Sequence, residues 1–209
     1  MPKIKSSPKI KAVLFDLGKV ILDFDFTPAF RRLARVTAFT PAEIDAYFRR
    51  SGLEVLYDGG KISSLAFYRE IKKALRHPLT YAEFKKLWNE IFTPKAKVIR
   101  LIRRLKPRYR LVLISNTNAM HFDHIRSRYP VLGLFDAWVL SYRENTRKPD
   151  PRIYRTAIRA CKACAGEIFY IDDREDLTVA AAGLGLRTFT FKNDPDALIR
   201  EMTRLGILK

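Results

Sequence analysis

FDLGKVILDFD, residues 15–25, is where the reading of this chain begins. The apolar run AVLF (12–15) ends on a carboxylate, Asp16, and a glycine, Gly18, stands two positions later. A short run of Val, Leu and Phe closed by a polar residue reads as a strand covered on both faces. Four further runs read as strands: RLVLI (110–114) before Ser115, FDAWVL (135–140), EIFYI (167–171) before Asp172, and RTFTF (187–191), all but the last sharing that apolar pattern. From the second run onward, helical periodicity fills the gaps, at 94–105, 118–128, 150–163, 176–183 and 194–205. Strands alternating with helices predict an α/β fold, a doubly wound parallel sheet.

Residues 27–92 break that alternation. They hold no convincing strand and read as helices over PAFRRLARV, PAEIDAYFRR, SLAFYREIKKALR and YAEFKKLWNEIF. Thr40 and Thr80 stand where helix caps belong, with Glu43 and Glu83 at the reciprocal capping spacing. LYDGGKIS (56–63) is the most turn-like loop. The expectation is an α/β core from residues 1–25 and 93–209, with 26–92 a small helical domain inserted after the first strand.

Composition narrows the classes. The chain has 209 residues, 47% of them hydrophobic and 12% aromatic, as in an ordinary globular protein. No 18-residue apolar stretch suggests a membrane span. After the basic MPKIKSSPKIK, AVLF is too short for a signal-peptide core, so a cytoplasmic location is expected. The net charge, 40 − 22 = +18, favours anionic partners, and phosphorylated small molecules qualify. RLIRRLKPRYR (100–110) puts Arg100, Arg103 and Arg104 on one helical face, read as solvated. Without a zinc-finger or RNA-binding aromatic signature, nucleic acid is not an expected partner despite the charge. Cys161 and Cys164 form half of a four-ligand zinc set with no second half, and are read as reduced cysteines. A monomer or a dimer is expected.

Ligands of open parallel sheets bind beyond the carboxyl ends of the strands. Asp16, Ser115 and the Asp172–Asp173 pair sit at three such ends, and Arg147 and Lys148 follow the run at 135–140. Carboxylates hold Mg²⁺ beside a substrate phosphate. A hydroxyl and an ammonium bind its non-bridging oxygens. A carboxylate placed in line can attack phosphorus.

With these residues in view, the chain resembles the haloacid dehalogenase superfamily, most closely its phosphatases. FDLGKV is similar to the first motif, ISNTN (114–118) to the second, RKPD (147–150) to the third and YIDDREDLTVAAAGLG to the fourth. The resemblance implies Asp16 as nucleophile, Ser115 and Lys148 as phosphate binders, and Mg²⁺ held by Asp16, the Gly18 carbonyl and Asp173. It also implies that the helical insert is a cap closing over the site, with Tyr57 and Asp58 as candidate substrate contacts. Asn116 is expected to support the phosphate loop. The DLG form, ISNTN and YDGGKIS look most like the bacterial alpha-D-glucose-1-phosphate phosphatase group, so a sugar phosphate, sugar 1-phosphates included, is the expected substrate.

Two departures stand out. Family phosphatases carry a second Asp, a general acid and base, where this chain has Gly18. Such a group is worth roughly 10²–10⁴-fold. Its loss favours leaving groups that need no proton: anomeric, acyl or aryl phosphates over alkyl esters. Asp23 or Asp25 could supply the proton instead, or cap the entry to the insert. Leu177 stands where the family has Asp or Asn, with Asp176 or Glu175 as outer-shell substitutes. His121 and His124, on one helical face after ISNTN, are read as ordinary helical residues. Two rival readings remain: a metal-free 2-haloacid dehalogenase, and a degenerate member that binds phosphate or a partner without turnover.

Overall fold

The structure, a computed structural model, describes residues 8–209; residues 1–7 of the expected core segment lie outside the described residues. The chain runs β1 (Ala12–Phe15), β2 (Leu22–Phe24), α1 (Thr27–Ala34), α2 (Pro41–Ser51), α3 (Leu53–Asp58), α4 (Ser64–Leu75), α5 (Tyr81–Asn89) and β3 (Phe92–Pro94). It continues through α6 (Ala96–Leu105), β4 (Arg110–Ser115), α7 (Ala119–Arg128), β5 (Ala137–Leu140), α8 (Ser141–Glu144) and α9 (Pro151–Cys161). β6 (Ile168–Asp172), α10 (Glu175–Ala182), β7 (Arg187–Thr190) and α11 (Pro195–Arg204) complete it.

The main sheet has the order β5-β4-β1-β6-β7, and every pairing in it is parallel. From β1 the chain winds outward through β4 to β5, then returns to the other side for β6 and β7. The winding reverses at the boundary of β1 and β6, where Phe15 pairs with Ile171. Strand alternation divides the core. Val13, Phe15, Leu111, Leu113, Phe169 and Ile171 face a cluster with residues of α6, α7 and α11. Ala12, Leu14, Val112, Ile114, Ile168 and Tyr170 face another with α9 and α10. Burial on both faces is why these strands read as continuous apolar runs.

Residues 27–89 hold the five helices α1–α5 and stand outside this sheet. Their own cluster is aromatic: Phe30, Phe48, Tyr57, Phe67, Phe84 and Trp88 are buried together, joined by Met120 of α7. Both reciprocal capping boxes form, Thr40 with Glu43 and Thr80 with Glu83.

Two elements differ from the sequence expectation. α3 occupies the first half of the segment read as a loop, so the turn proper begins at Gly59. β2 and β3 form an antiparallel ribbon, Phe24 opposite Phe92 and Leu22 opposite Pro94, placed where the helical segment leaves and rejoins the core. Three-residue strands paired across some seventy positions leave no periodic signal, so Phe92 reads as the tail of a helix. Cys161 ends α9 buried and Cys164 is exposed, both reduced. Arg100, Arg103 and Arg104 face solvent.

Candidate active site

The switch point gathers charge. The ammonium of the buried Lys148 lies 2.6 Å from Asp16 Oδ1 and 2.6 Å from Asp172 Oδ2. Strand register explains the meeting: Phe15 opposite Ile171 brings the next residues, Asp16 and Asp172, side by side at the ends of β1 and β6. Burial pulls the Lys148 ammonium down, but the two carboxylates outweigh it and hold the group above its usual range. Burial raises the Asp16 carboxyl; Lys148 pulls it back, while Asp172 and Asp173 repel it. Tyr170 donates its hydroxyl to Asp172 Oδ2, and the Arg174 N–H donates to Oδ1 at 3.0 Å. Asp172 is thus fully engaged as the lysine's counter-ion. Burial, and then the nearby Asp172 and Asp16 charges, keep the Tyr170 phenol protonated, its pKa well above the ordinary value.

Asn116 secures Lys148 from the other side. Its Nδ2 donates to the Lys148 carbonyl at 3.0 Å, and its Oδ1 accepts from the Lys148 N–H at 2.8 Å. The amide therefore ties the loop after β4 to the loop before α9. Ser115 is buried, and its hydroxyl has only a 3.5 Å contact with the Asn116 carbonyl. Asn118 caps α7, accepting from the His121 N–H, and donates to Asp58 Oδ1 at 3.0 Å.

Two adjoining cavities open over these strand ends and share Gly18, Phe24, Asp58 and Asn116. One reaches Asp16, Lys148, Asp172 and Asp173. The other reaches Ser115 and runs under the helical segment, walled by Phe26, Trp88, Phe92 and His121. Of the expected site residues, Asp16, Gly18, Ser115, Asn116, Lys148, Asp173 and Asp58 come together here. Tyr57 does not. It is 2% exposed, stacked on Phe67, with its hydroxyl 2.6 Å from Ser64 Oγ and accepting from the Met120 N–H at 3.1 Å. It joins the helical segment to α7 rather than facing the cavity.

Other expectations are corrected in the same way. Asp176 pairs with Arg174 at 2.6 Å and Glu175 with Lys192 at 3.8 Å, both near solvent, while the cavity wall carries Leu177. Asp23 pairs with Lys19 and Lys95, and Asp25 accepts from the Thr27 N–H; neither lines the two cavities. His121 does line one. Burial lowers its imidazole to about 3, Nδ1 lies 3.0 Å from Asn89 Oδ1, and the neutral ring stacks on Trp88. His124 packs against Phe92 outside the cavities. Glu54, unremarked in the sequence, also lines the cavity under the helices, one turn before Asp58.

The donor set suits a hard divalent cation. Asp16, Asp172 and Asp173 each present a carboxylate oxygen, all within 4.8 Å of one another. Both Asp172 oxygens are engaged, by Lys148 and Tyr170 on one side and the Arg174 N–H on the other, whereas Lys148 engages only Oδ1 of Asp16, so Asp16 Oδ2 and Asp173 are the donors that could hold Mg²⁺. That ion is typically bound by one or two carboxylates plus water and phosphate.

Comparison with known proteins agrees with this construction. Residues 10–185 match the family model of haloacid dehalogenase-like hydrolases, and the chain belongs to that family. It is 27% identical to the D-ribitol-5-phosphate phosphatase of Bacteroides thetaiotaomicron over 195 residues, covering 90% of this chain and 94% of the relative. A haloacid dehalogenase-family enzyme of that organism, solved with magnesium and inorganic phosphate, superposes with a TM-score of 0.79 at 25% identity over 87% of this chain and 93% of that one. A HAD-like hydrolase from Porphyromonas gingivalis gives 0.79 at 25% identity, covering 97% and 100%. Among the described residues no helix is long and apolar enough to cross a membrane.

Proposed function

We propose that this protein is a Mg²⁺-dependent phosphatase that hydrolyses small phosphorylated metabolites through a phosphorylated Asp16. The observation that carries the reading is the Asp16–Lys148–Asp172 array, with Asp173 and Ser115 beside it, under a cavity shared with the helical segment. The B. thetaiotaomicron relative makes polyol and sugar phosphates the first class to test. Sugar 1-phosphates belong in the same panel. Residues 26–92 are the cap, and neither nucleic acid nor membrane is required as a partner.

Each residue has a task in this mechanism. Asp16 supplies the oxygen that attacks phosphorus. Lys148 holds it in one orientation and offers positive charge to the phosphoryl oxygens, with the Ser115 hydroxyl as a second donor. Asp172 and Tyr170 fix the lysine, and Asn116 fixes its backbone. Mg²⁺, held by Asp16, Asp173 and the Gly18 carbonyl, would neutralise charge on the phosphoryl group. Water then releases phosphate from Asp16 and restores the carboxylate.

The test is a phosphometabolite panel with and without Mg²⁺. Turnover should require the ion, and Asp16→Asn should reduce it to background, because an amide cannot attack phosphorus. Asp173→Ala should raise the Mg²⁺ needed for half-maximal rate. Full activity in EDTA, or turnover of 2-haloacids instead, would displace this reading.

A further inference from the structure

We propose that Asp58, on cap helix α3, gives a proton to the leaving oxygen and later takes one from the attacking water, the role a carboxylate at position 18 would have had. The proposal rests on the phosphatase reading above. It starts from what occupies the space beside Gly18. A Cβ there would lie 3.0 Å from Phe24 Cε1 and 3.6 Å from Cδ1, so a ring of the β2–β3 ribbon fills the room. The acids nearest in sequence are committed elsewhere, Asp23 to Lys19 and Lys95, and Asp25 to the start of α1.

Among the described residues, the carboxylates lining the two cavities are Asp16, Asp172 and Asp173 from the core and Glu54 and Asp58 from the cap. The first three are taken by nucleophile, counter-ion and metal. Only Asp58 lines both cavities, the one holding Asp16 and the one holding Ser115. The core itself aims it. Asn118, in the loop that carries Ser115, donates to Oδ1 at 3.0 Å. The Arg147 guanidinium, beside Lys148, lies 3.8 Å from Oδ2. Gly60 lets the cap loop come this close: a Cβ there would stand 2.3 Å from the Tyr142 carbonyl oxygen, and its φ is +69°.

The cavity that Asp58 shares with Asp16 also carries Lys19, Lys148, Asp172, Asp173 and Arg174. Glu54 stands one turn earlier on the same helix, Arg147 faces from the core, and Asp45 of α2 acts on Glu54. Burial raises the Asp58 carboxyl, with Asn118 and Arg147 opposing. Burial, reinforced by the Asp58 charge, pushes Glu54 up to about 7. Burial thus shifts Asp58 toward its protonated form relative to an exposed carboxyl, the direction a general acid needs.

The steps balance. An Asp16 carboxylate oxygen bonds to phosphorus as the ester P–O bond breaks. The released electron pair stays on the leaving oxygen, which takes the Asp58 proton and departs as the alcohol. Water oxygen then bonds to phosphorus, the P–O bond to Asp16 breaks back to the carboxylate, and a water proton passes to Asp58. The sum is ester plus water to alcohol plus phosphate.

The experiment compares kcat/KM against leaving-group pKa for wild type, Asp58→Asn and Asp58→Glu with Mg²⁺ present. Wild type should show a shallow dependence. Asp58→Asn should lower glycerol phosphate turnover by about 10²-fold or more while nearly sparing nitrophenyl phosphate, since such acid–base help is worth roughly 10²–10⁴-fold. Sparing of nitrophenyl phosphate also reports that the variant folds. With the alkyl ester, wild-type kcat/KM should fall as pH rises through Asp58 deprotonation, and the variant should lack that limb. Asp58→Glu should recover part of the loss. Equal losses on both substrates would mark Asp58 as a binding or structural residue and overturn the proposal, as would no loss at all. A wild type unable to hydrolyse nitrophenyl phosphate would instead remove the phosphatase reading, and this proposal with it.

Discussion

At the ends of β1 and β6 the buried groups are charged: Lys148 lies between Asp16 and Asp172, with Tyr170 completing the array. In helices α1–α5, the proposed cap, they are rings: Phe48, Phe67 and Phe84 pack around Trp88 at centroid distances of 5.0, 5.3 and 5.7 Å. The two regions answer burial differently. The strand ends hold charge that survives only because each member is paired, so losing one partner strands the others. The cap holds apolar area that tolerates loss in proportion to the area removed. The core site is therefore brittle and specific, while the cap has an interior that sequence change can vary and a polar edge, Glu54 and Asp58, that meets the core.

That contrast can be broken most sharply at Lys148. Lys148→Ala leaves Asp16 and Asp172 buried and facing one another. It should cost about 3–5 kcal/mol in urea unfolding, the usual penalty for breaking a buried ion pair, together with turnover. A small change in stability would mean that the array is better hydrated than its burial indicates. A milder probe is acid. His121, where cap and core meet, is held neutral, its imidazole lowered by burial from 6.5 to about 3. The unfolded chain binds the proton more readily, so the neutral ring's contribution is complete above about pH 6.5 and is lost as pH falls toward 3. Between about pH 7 and pH 5 this one group should remove about 2 kcal/mol of stability. His121→Gln should flatten that slope, and an unchanged slope would assign it to other groups. The smallest effect belongs to the cap's helix ends. Thr80→Ala should cost about 1 kcal/mol through loss of the α5 capping box, while leaving kcat on nitrophenyl phosphate unaltered. A change in kcat there would show that cap stability and catalysis are coupled.

Much of this architecture was legible in the chain. Five runs became the five strands of the main sheet; the central ones read as apolar throughout because they are buried on both faces, while the edge strand β7, RTFT, is half polar and half-buried. Both capping boxes were readable because their hydrogen bonds join residues three apart. Legibility failed where partners are distant. The β2–β3 ribbon joins Asp23 to Thr93, and α3 is only six residues long, which also hid Glu54. Tyr57 was misjudged because position near a loop does not reveal which way a ring turns. Asp176 and Glu175 looked available, but each has a nearby basic side chain and faces solvent.

The sequence by itself determined the class of fold, the order of the strand-end groups and the absence of a carboxylate at position 18. Those are properties of composition, periodicity and spacing along one chain. Only the tertiary structure decided which acid meets which partner. Strand register set Asp172 beside Asp16 and made both the lysine's partners, with Asp173 outside that pairing. Packing put the Phe24 ring beside Gly18 and hydrogen bonding turned Asp58 toward the cleft, because both depend on residues far apart in the chain meeting across the junction of cap and core.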